Sequence, residues 1–229
     1  MSVVFPAYNE EKNIDAAISD FLKTGVVDEL IVVDNNSTDR TAAIAKQKGA
    51  KVVKEEKQGY GFALRAGIKV ATGDLVILAE PDGTFEGKDI LRLLPYSKNF
   101  DLVLGTRTNK KFIKRGANMG FLLRWGNILM AKLLQTLFAI PKITDCGCTL
   151  RLIRKRLLKK IIPKFTVGGA HFLPEMIILA NQNSASIVEI PVNYRPRIGT
   201  SKITGNLAKA TKVGLAMFFL ILEYRLQLK

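Results

Sequence analysis

Short apolar runs that end in acids or amides, each followed by a stretch with helical spacing, constrain this 229-residue chain most. Ser2–Pro6 reads as a strand, and Glu11–Lys23 as a helix with Ile14, Ala17, Ile18, Phe21 and Leu22 as its apolar positions. Asp28–Asp34 is a second strand. Ser37-Thr38-Asp39 then supplies helix-start chemistry before Thr41–Lys48, and Gly49 stops that helix. Ala50–Lys54 reads as a third strand, Gly61–Ala71 as a helix closed by Thr72-Gly73, and Asp74–Ala79 as a fourth strand. Such repeated strand–helix units imply an α/β fold: a Rossmann-like, mainly parallel sheet with helices on both faces.

Open sheets of this kind bind ligands at the C-terminal edge of their strands. The fourth strand ends there in Glu80-Pro81-Asp82-Gly83-Thr84. Paired carboxylates at such an edge suit a Mg²⁺ or Mn²⁺ ion shared with substrate phosphates, although these five residues alone also make an ordinary polar turn. Pro6-Ala7-Tyr8-Asn9-Glu10-Glu11 and Asp34-Asn35-Asn36-Ser37-Thr38-Asp39 put further acids and amides at strand ends. Tyr8 is placed to cover a nucleotide base, Glu10 to accept from it and Asp34 to accept from its ribose. Gln58-Gly59-Tyr60-Gly61, ahead of Arg65, lets backbone approach a ligand closely, or simply serves a turn.

The pattern changes after residue 100. Asp101–Gly105 reads as a strand, followed by the cationic loop Arg107–Arg115. Ala117–Phe138 reads as a long apolar helix ended by Pro141, Leu150–Ile162 as a basic helix, Phe172–Asn181 as a helix, Ser186–Pro191 as a strand, and residues 206–229 as a last helix. The net charge of +15 is split between these halves. Residues 1–90 hold 11 Lys/Arg and 15 Asp/Glu, a net of −4, whereas residues 91–229 hold 24 and 5, a net of +19. A basic half interleaved with Leu, Ile, Met and Phe fits an anionic lipid surface better than nucleic acid, for which no base-stacking platform or motif is present. Cys146 and Cys148 sit too close together for a structural disulfide, and with His171 as the only histidine no zinc site can be completed. The first residues lack the charged and apolar regions of a signal peptide, and no segment reaches the ~20 apolar residues that span a bilayer. A peripheral protein on the cytoplasmic face of a membrane is the expectation.

In order along the chain, Val-Val-Phe-Pro-Ala-Tyr-Asn-Glu-Glu from Val3, Ile-Val-Val-Asp-Asn-Asn-Ser-Thr-Asp-Arg-Thr from Ile31, Gly-Tyr-Gly-Phe-Ala-Leu-Arg-Ala-Gly from Gly59 and Gly-Asp-Leu-Val-Ile-Leu-Ala-Glu-Pro-Asp-Gly-Thr-Phe from Gly73 closely resemble family 2 glycosyltransferases of the GT-A fold. Gly105-Thr106-Arg107, Asp145-Cys146-Gly147-Cys148-Thr149-Leu150-Arg151 and Pro-Val-Asn-Tyr-Arg-Pro-Arg-Ile-Gly-Thr-Ser-Lys from Pro191 are similar to the polyprenyl-phosphate (dolichyl-phosphate) branch. The resemblance implies a GT-A domain over 1–205, with a nucleotide-sugar half (1–105) and an acceptor half (106–205), followed by a membrane-interface helix (206–229). It implies inverting, metal-dependent transfer from a nucleotide-sugar, a UDP-sugar before GDP-mannose, to a polyprenyl or dolichyl phosphate. Donor contacts are then expected at Pro6, Tyr8, Glu10, Asp34, Asn36, Gly61, Arg65, Glu80 and Asp82, and Mg²⁺ or Mn²⁺ ligands at Glu80, Asp82 and Thr84.

Glu80 departs from the family's Asp-x-Asp pattern, which leaves Asp82 as the firmer ligand. Arg197 and Lys202 match a mobile segment that closes on phosphates, or form a solvated basic loop. Arg107 and Arg124 resemble acceptor-phosphate contacts, with snorkelling at a membrane face the alternative for Arg124. An ionised lipid phosphate needs no general base, whereas a sugar hydroxyl acceptor does, and Glu175 is the base candidate in the second half. A binding protein that kept the fold without the chemistry is the remaining class.

Overall fold

The computed structural model describes residues 1–117, 119–199 and 207–227. Its elements follow the order β1 (Ser2–Ala7), α1 (Ile14–Leu22), β2 (Glu29–Asp34), α2 (Thr41–Gln47), β3 (Lys51–Lys54), α3 (Tyr60–Val70), β4 (Leu75–Leu78), α4 (Gly87–Leu93), β5 (Leu102–Thr106), α5 (Phe121–Phe138), β6 (Arg151–Arg154), α6 (Lys155–Ile161), α7 (Phe172–Gln182), β7 (Ile187–Pro191) and α8 (Leu207–Arg225). The strands form one seven-stranded sheet in the order β3-β2-β1-β4-β6-β5-β7. Alternate side chains of each strand enter opposite cores. Val4, Ile31 and Val33 meet α3 and the helices from α5 onward, whereas Val3, Phe5 and Val32 meet α1, α2 and α4.

The first four strands are parallel, with β2 and β3 wound to one side of β1 and β4 to the other. The crevice beyond the C-terminal ends of β1 and β4 is therefore a topological switch point, the usual ligand position in such sheets. Strand β6 alone is antiparallel to both its neighbours. Leu78 and Leu104 both pair with Arg151, so the chain enters β6 at the edge where β4 and β5 leave the sheet. Residues 145–149 and Arg107 are thereby delivered to the same crevice as Glu80.

This arrangement corrects the helix expected over Leu150–Ile162. Arg151–Arg154 is a strand, and the helix begins only at Lys155. The physical reason is burial on both sides: Leu152 lies in one core and Ile153 in the other, filling a gap between β4 and β5 that neither helix nor loop could pair. Helix α4 was not expected. It opens with a reciprocal capping box, in which Glu86 N–H donates to Asp89 Oδ2 at 3.0 Å. Helix α5 starts at Phe121 rather than Ala117 and ends ahead of Pro141, where Ala139 turns left-handed with φ of 52°. Helix α8 is more than an appendage, because Met217, Leu220, Ile221 and Tyr224 are buried in the core.

Candidate active site

Three loops of the first half interlock at the crevice. Asn9 N–H donates to Ser37 Oγ (3.1 Å), Thr38 N–H returns a bond to Asn9 Oδ1 (2.8 Å), and Glu10 N–H donates to Thr41 Oγ1 (2.8 Å). Asp34 accepts from Ser37 N–H at 3.0 Å, and Asn36 donates to the Glu56 carbonyl at 2.8 Å, so both build the turn and neither lines the cleft. The neighbouring Asn35 does line it, together with Gln58, and its amide spans the Glu55 and Lys57 carbonyls at 2.9 and 2.8 Å. Gly61 donates to the Gly168 carbonyl at 2.8 Å, and a β-carbon there would stand 2.8 Å from Gly168 C. Its role is to let the 167–169 loop close on α3. Arg65 lies elsewhere, over the Phe62 ring in a separate cavity of about 350 Å³ with Glu55, Lys57 and Lys69.

The main cleft, about 870 Å³, is lined at one end by Pro6, Tyr8, Glu10, Glu80, Asp82, Thr84 and Arg197. Asp82 is 1% exposed, and Thr84 fixes it by donating N–H (3.0 Å) and Oγ1–H (2.6 Å) to Oδ1. Thr84 is thus committed to orienting Asp82. Glu80 accepts from Thr149 Oγ1 at 2.9 Å, and Tyr60 hydrogen-bonds the same threonine. Burial, with Asp82 beside it, pushes the Glu80 carboxyl up to about 7. Arg197 crosses the end of the cleft, placing Nη2 at 2.5 Å from Glu10 Oε1 and Nη1 at 2.9 Å from Asp82 Oδ2. The strap that carries it is fastened to the acidic turn by Arg195 N–H to the Thr84 carbonyl (3.1 Å) and Ile198 N–H to the Asp82 carbonyl (2.9 Å).

Among the described residues, no cluster of three His, Cys, Asp or Glu side chains could hold a metal alone. Asp82 Oδ2 nevertheless is buried and lacks a hydrogen bond among the described residues. A buried carboxylate oxygen met by the Arg197 guanidinium alone among the described residues, with Glu80 alongside, fits a divalent ion that takes its remaining ligands from water and phosphate. The guanidinium of Arg197 now stands in the place of that charge.

Other candidates from the second half are placed differently. Arg107 lines the cleft, but Asp145 occupies its fork (Nε at 2.8 Å, Nη2 at 3.0 Å). Burial alone would raise the Asp145 pKa, yet Arg107 holds it below the carboxylate range. Arg124 donates to the Thr108 carbonyl at 2.6 Å and lies outside the cleft lining. Glu175 is buried away from the cleft, accepting from Thr166 N–H and Oγ1–H, Val167 N–H and the Tyr224 hydroxyl. It ties α7 to α8 and does not line the cleft. Burial pushes both free thiols, Cys146 and Cys148, up to about 12, so neither is a nucleophile at neutral pH. Lys202 lies outside the described residues. No local sequence pattern marks Arg195, which bridges Asp89 and Glu86 at 2.7 Å each.

The glycosyl transferase family 2 model matches residues 2–162. An uncharacterized glycosyltransferase of Mycobacterium tuberculosis is 32% identical over 209 residues, which is 90% of this chain and 91% of that one. The chain belongs to glycosyltransferase family 2. A dolichyl-phosphate hexose transferase of Haloferax volcanii is similar at 31% identity over 231 residues, covering 100% of this chain and 96% of the relative. Among solved structures, glucosyl-3-phosphoglycerate synthase from M. tuberculosis with Mn²⁺, UDP-glucose and phosphoglyceric acid superposes with a TM-score of 0.75 at 22% identity, over 98% of this chain and 78% of that one. That likeness establishes a GT-A-like fold. The protein is accordingly a glycosyltransferase.

Proposed function

We propose that this glycosyltransferase moves a sugar from a nucleotide-sugar, a UDP-sugar before GDP-mannose, to a polyprenyl or dolichyl phosphate. The observation that carries the reading is the two-ended cleft. Its acidic end holds Glu10, Glu80, Asp82 and Arg197, while its other end runs between α5 and α8 and is walled by Met119, Leu123, Met130, Met217 and Phe218. A charged head on a hydrocarbon tail matches both ends. A small phosphorylated acid such as phosphoglycerate would leave the apolar end empty. The relation to the dolichyl-phosphate hexose transferase and the UDP bound by the structural neighbour support the same assignment.

In this reading Asp82, with Glu80, would hold Mg²⁺ or Mn²⁺, which supplies charge neutralisation for the departing diphosphate. Thr84 keeps Asp82 aimed. Arg197, released from Glu10 and Asp82, offers its fork to phosphate oxygens. Pro6, Tyr8, Asn35 and Gln58 line the donor side. The acceptor phosphate is already ionised at neutral pH, so its oxygen attacks the anomeric carbon directly. The bond to the nucleotide diphosphate breaks as the new one forms, and configuration inverts. No proton needs to be removed, which agrees with the structural employment of Glu175.

Phe121, Leu122, Trp125 and Leu129 of α5 are 76, 70, 50 and 63% exposed, and Leu215 and Phe219 of α8 are 53 and 57% exposed. An apolar patch of this kind beside the cleft's apolar end, with Lys132, Lys209 and Lys212 exposed on the same helices, suits a peripheral position on an anionic membrane. Among the described residues no helix is long and apolar enough to cross a membrane.

Incubation with Mn²⁺ or Mg²⁺, a panel of UDP- and GDP-sugars and a short polyprenyl phosphate should yield a lipid-linked sugar. Absence of any such product, with nucleotide binding measured in parallel, would overturn the acceptor assignment. Glu175→Gln should leave the transfer step intact in the folded protein; selective loss of transfer would instead favour a hydroxyl acceptor.

A further inference from the structure

Two glycines sit in the interiors of the helices that wall the apolar end of the cleft, Gly126 in α5 and Gly214 in α8. A glycine inside a helix destabilises it relative to alanine, so its presence calls for a physical reason. Unusual backbone is not the reason, because neither residue has a positive φ. Close packing is not the reason either. A β-carbon built on Gly126 or on Gly214 meets nothing within 4 Å among the described residues, whereas one on Gly147 would come within 2.7 Å of Asn127 Oδ1. Both glycines do line the cleft. Gly126 is exposed and Gly214 half-buried, so what their missing side chains provide is open space along the solvent-facing limb of the cleft.

We infer that Gly126 and Gly214 keep a channel between α5 and α8 wide enough for the hydrocarbon chain of the acceptor, and so set the specificity for a bulky, methyl-branched polyprenyl chain. The inference rests on the lipid-phosphate reading above and names the subsite that reading requires. Its occupant follows from continuity: the apolar limb opens into the same cavity as Asp82 and Arg197, so a chain lying there keeps its phosphate at the acidic end. Met119, Met130 and Met217 line the limb, and methionines adapt to an irregular chain.

Gly126→Leu and Gly214→Leu place an aliphatic side chain in that space. With a long polyprenyl phosphate in detergent micelles, KM for the acceptor should rise about tenfold in each variant, the loss expected when roughly two methylene groups forfeit their burial. KM for the nucleotide-sugar should not change. Gly126→Ala and Gly214→Ala cover the case in which leucine prevents folding. Each should raise Tm by ~2 °C through helix propensity while still weakening acceptor use, a combination that a purely structural role would not produce. Folded variants that use the long acceptor with the wild-type KM would overturn the channel assignment, as would an equal rise in both KM values. A wild-type protein that transfers to no polyprenyl phosphate would overturn the functional reading itself, and that result is distinct from either of these.

Discussion

The two halves of the molecule use their charges differently. In the first half the acids that matter lie within a few residues of the strand that presents them: Glu10 after β1, Asp34 at the end of β2, Glu80 and Asp82 after β4. In the second half the arginines reach far along the chain. Arg195 pairs with Glu86 and Asp89, Arg197 with Glu10 and Asp82, and Arg107 with Asp145, while Arg154 caps the carbonyls of Ser97, Lys98 and Phe100. The lysines Lys110, Lys111, Lys114, Lys159, Lys160, Lys209 and Lys212 stay exposed. The charge split along the sequence therefore has two meanings. Arg195 and Arg197, planar and multiply donating, lock the halves together, and these exposed lysines supply outward positive surface.

The largest effect that tests this division belongs to the acid end. Asp82→Ala should lower transfer about 10³-fold, since neutralising a leaving diphosphate accounts for several kcal/mol of barrier. Initial rates and Mn²⁺ binding, measured on a protein with wild-type circular dichroism, would check this. Near-normal transfer would mean that the donor does not sit at this end of the cleft.

The next effect concerns the second half's buried cation. Arg151 is fully buried and donates to the carbonyls of Cys148 (2.8 Å), Leu173 (2.6 Å) and Cys146 (2.7 Å), with no carboxylate bonded to it among the described residues. Arg151→Met should cost about 3 kcal/mol by leaving those carbonyls unpaired, and denaturant unfolding would read it. A change below the error of that measurement would show that water can replace the guanidinium.

How legible each half was follows from the same contrast. The β1, β2 and β4 junctions were readable because strand, turn and functional side chain are consecutive, and the parallel sheet follows from that repetition. Strand β6 reads as helix in the sequence because a four-residue strand buried on both faces carries no alternation, and Arg151-Leu152-Ile153-Arg154 has the composition of a basic helix start. Its pairing is set by β4 and β5, whose partner residues lie 47–79 positions away. The employment of Arg107 by Asp145, and of Thr149 by Glu80 and Tyr60, depends on that strand and was equally invisible. The Glu86-x-x-Asp89 capping box was present in the sequence and could have marked α4.

A smaller effect probes how the first half holds itself together, at the sheet edge opposite the cleft. Glu29 accepts from Ser2 Oγ (2.6 Å), Thr72 N–H and Oγ1–H (2.9 Å each) and Lys51 Nζ (3.4 Å), joining β1, β2, β3 and the turn after α3. Burial opposes its charge, but these donors outweigh burial and lower its pKa from 4.5 to about 2. A carboxylate whose folded pKa is depressed stabilises fully above its unfolded pKa, and that stability drains away as pH falls through the folded value. At about 1.4 kcal/mol per unit, discounted for the screening of a partly exposed group, the contribution is about 2 kcal/mol. The gap in unfolding free energy between wild type and Glu29→Gln should be widest near neutral pH, shrink below pH ~4.5 and close near pH ~2. A gap that stays constant with pH would assign the effect to packing rather than charge.

The smallest effect lies where the halves meet. Arg197 Nη1 stands 2.9 Å from Asp82 Oδ2, and Nη2 stands 2.5 Å from Glu10 Oε1. A divalent ion bound at that oxygen would have to displace the guanidinium, both because the two would overlap and because like charges at such range repel. Removing the arginine therefore favours the ion twice over, by vacating the position and by leaving Glu10, Glu80 and Asp82 without their internal counter-charge. Arg197→Ala should bind Mn²⁺ about tenfold more tightly in the absence of nucleotide, close to 1.4 kcal/mol, even as transfer falls for want of a phosphate ligand. Paramagnetic titration of the ion reads the first change without reference to turnover. Unchanged or weaker Mn²⁺ binding would mean that the ion and Arg197 occupy different places, and that the strap closes over the acidic turn without guarding it.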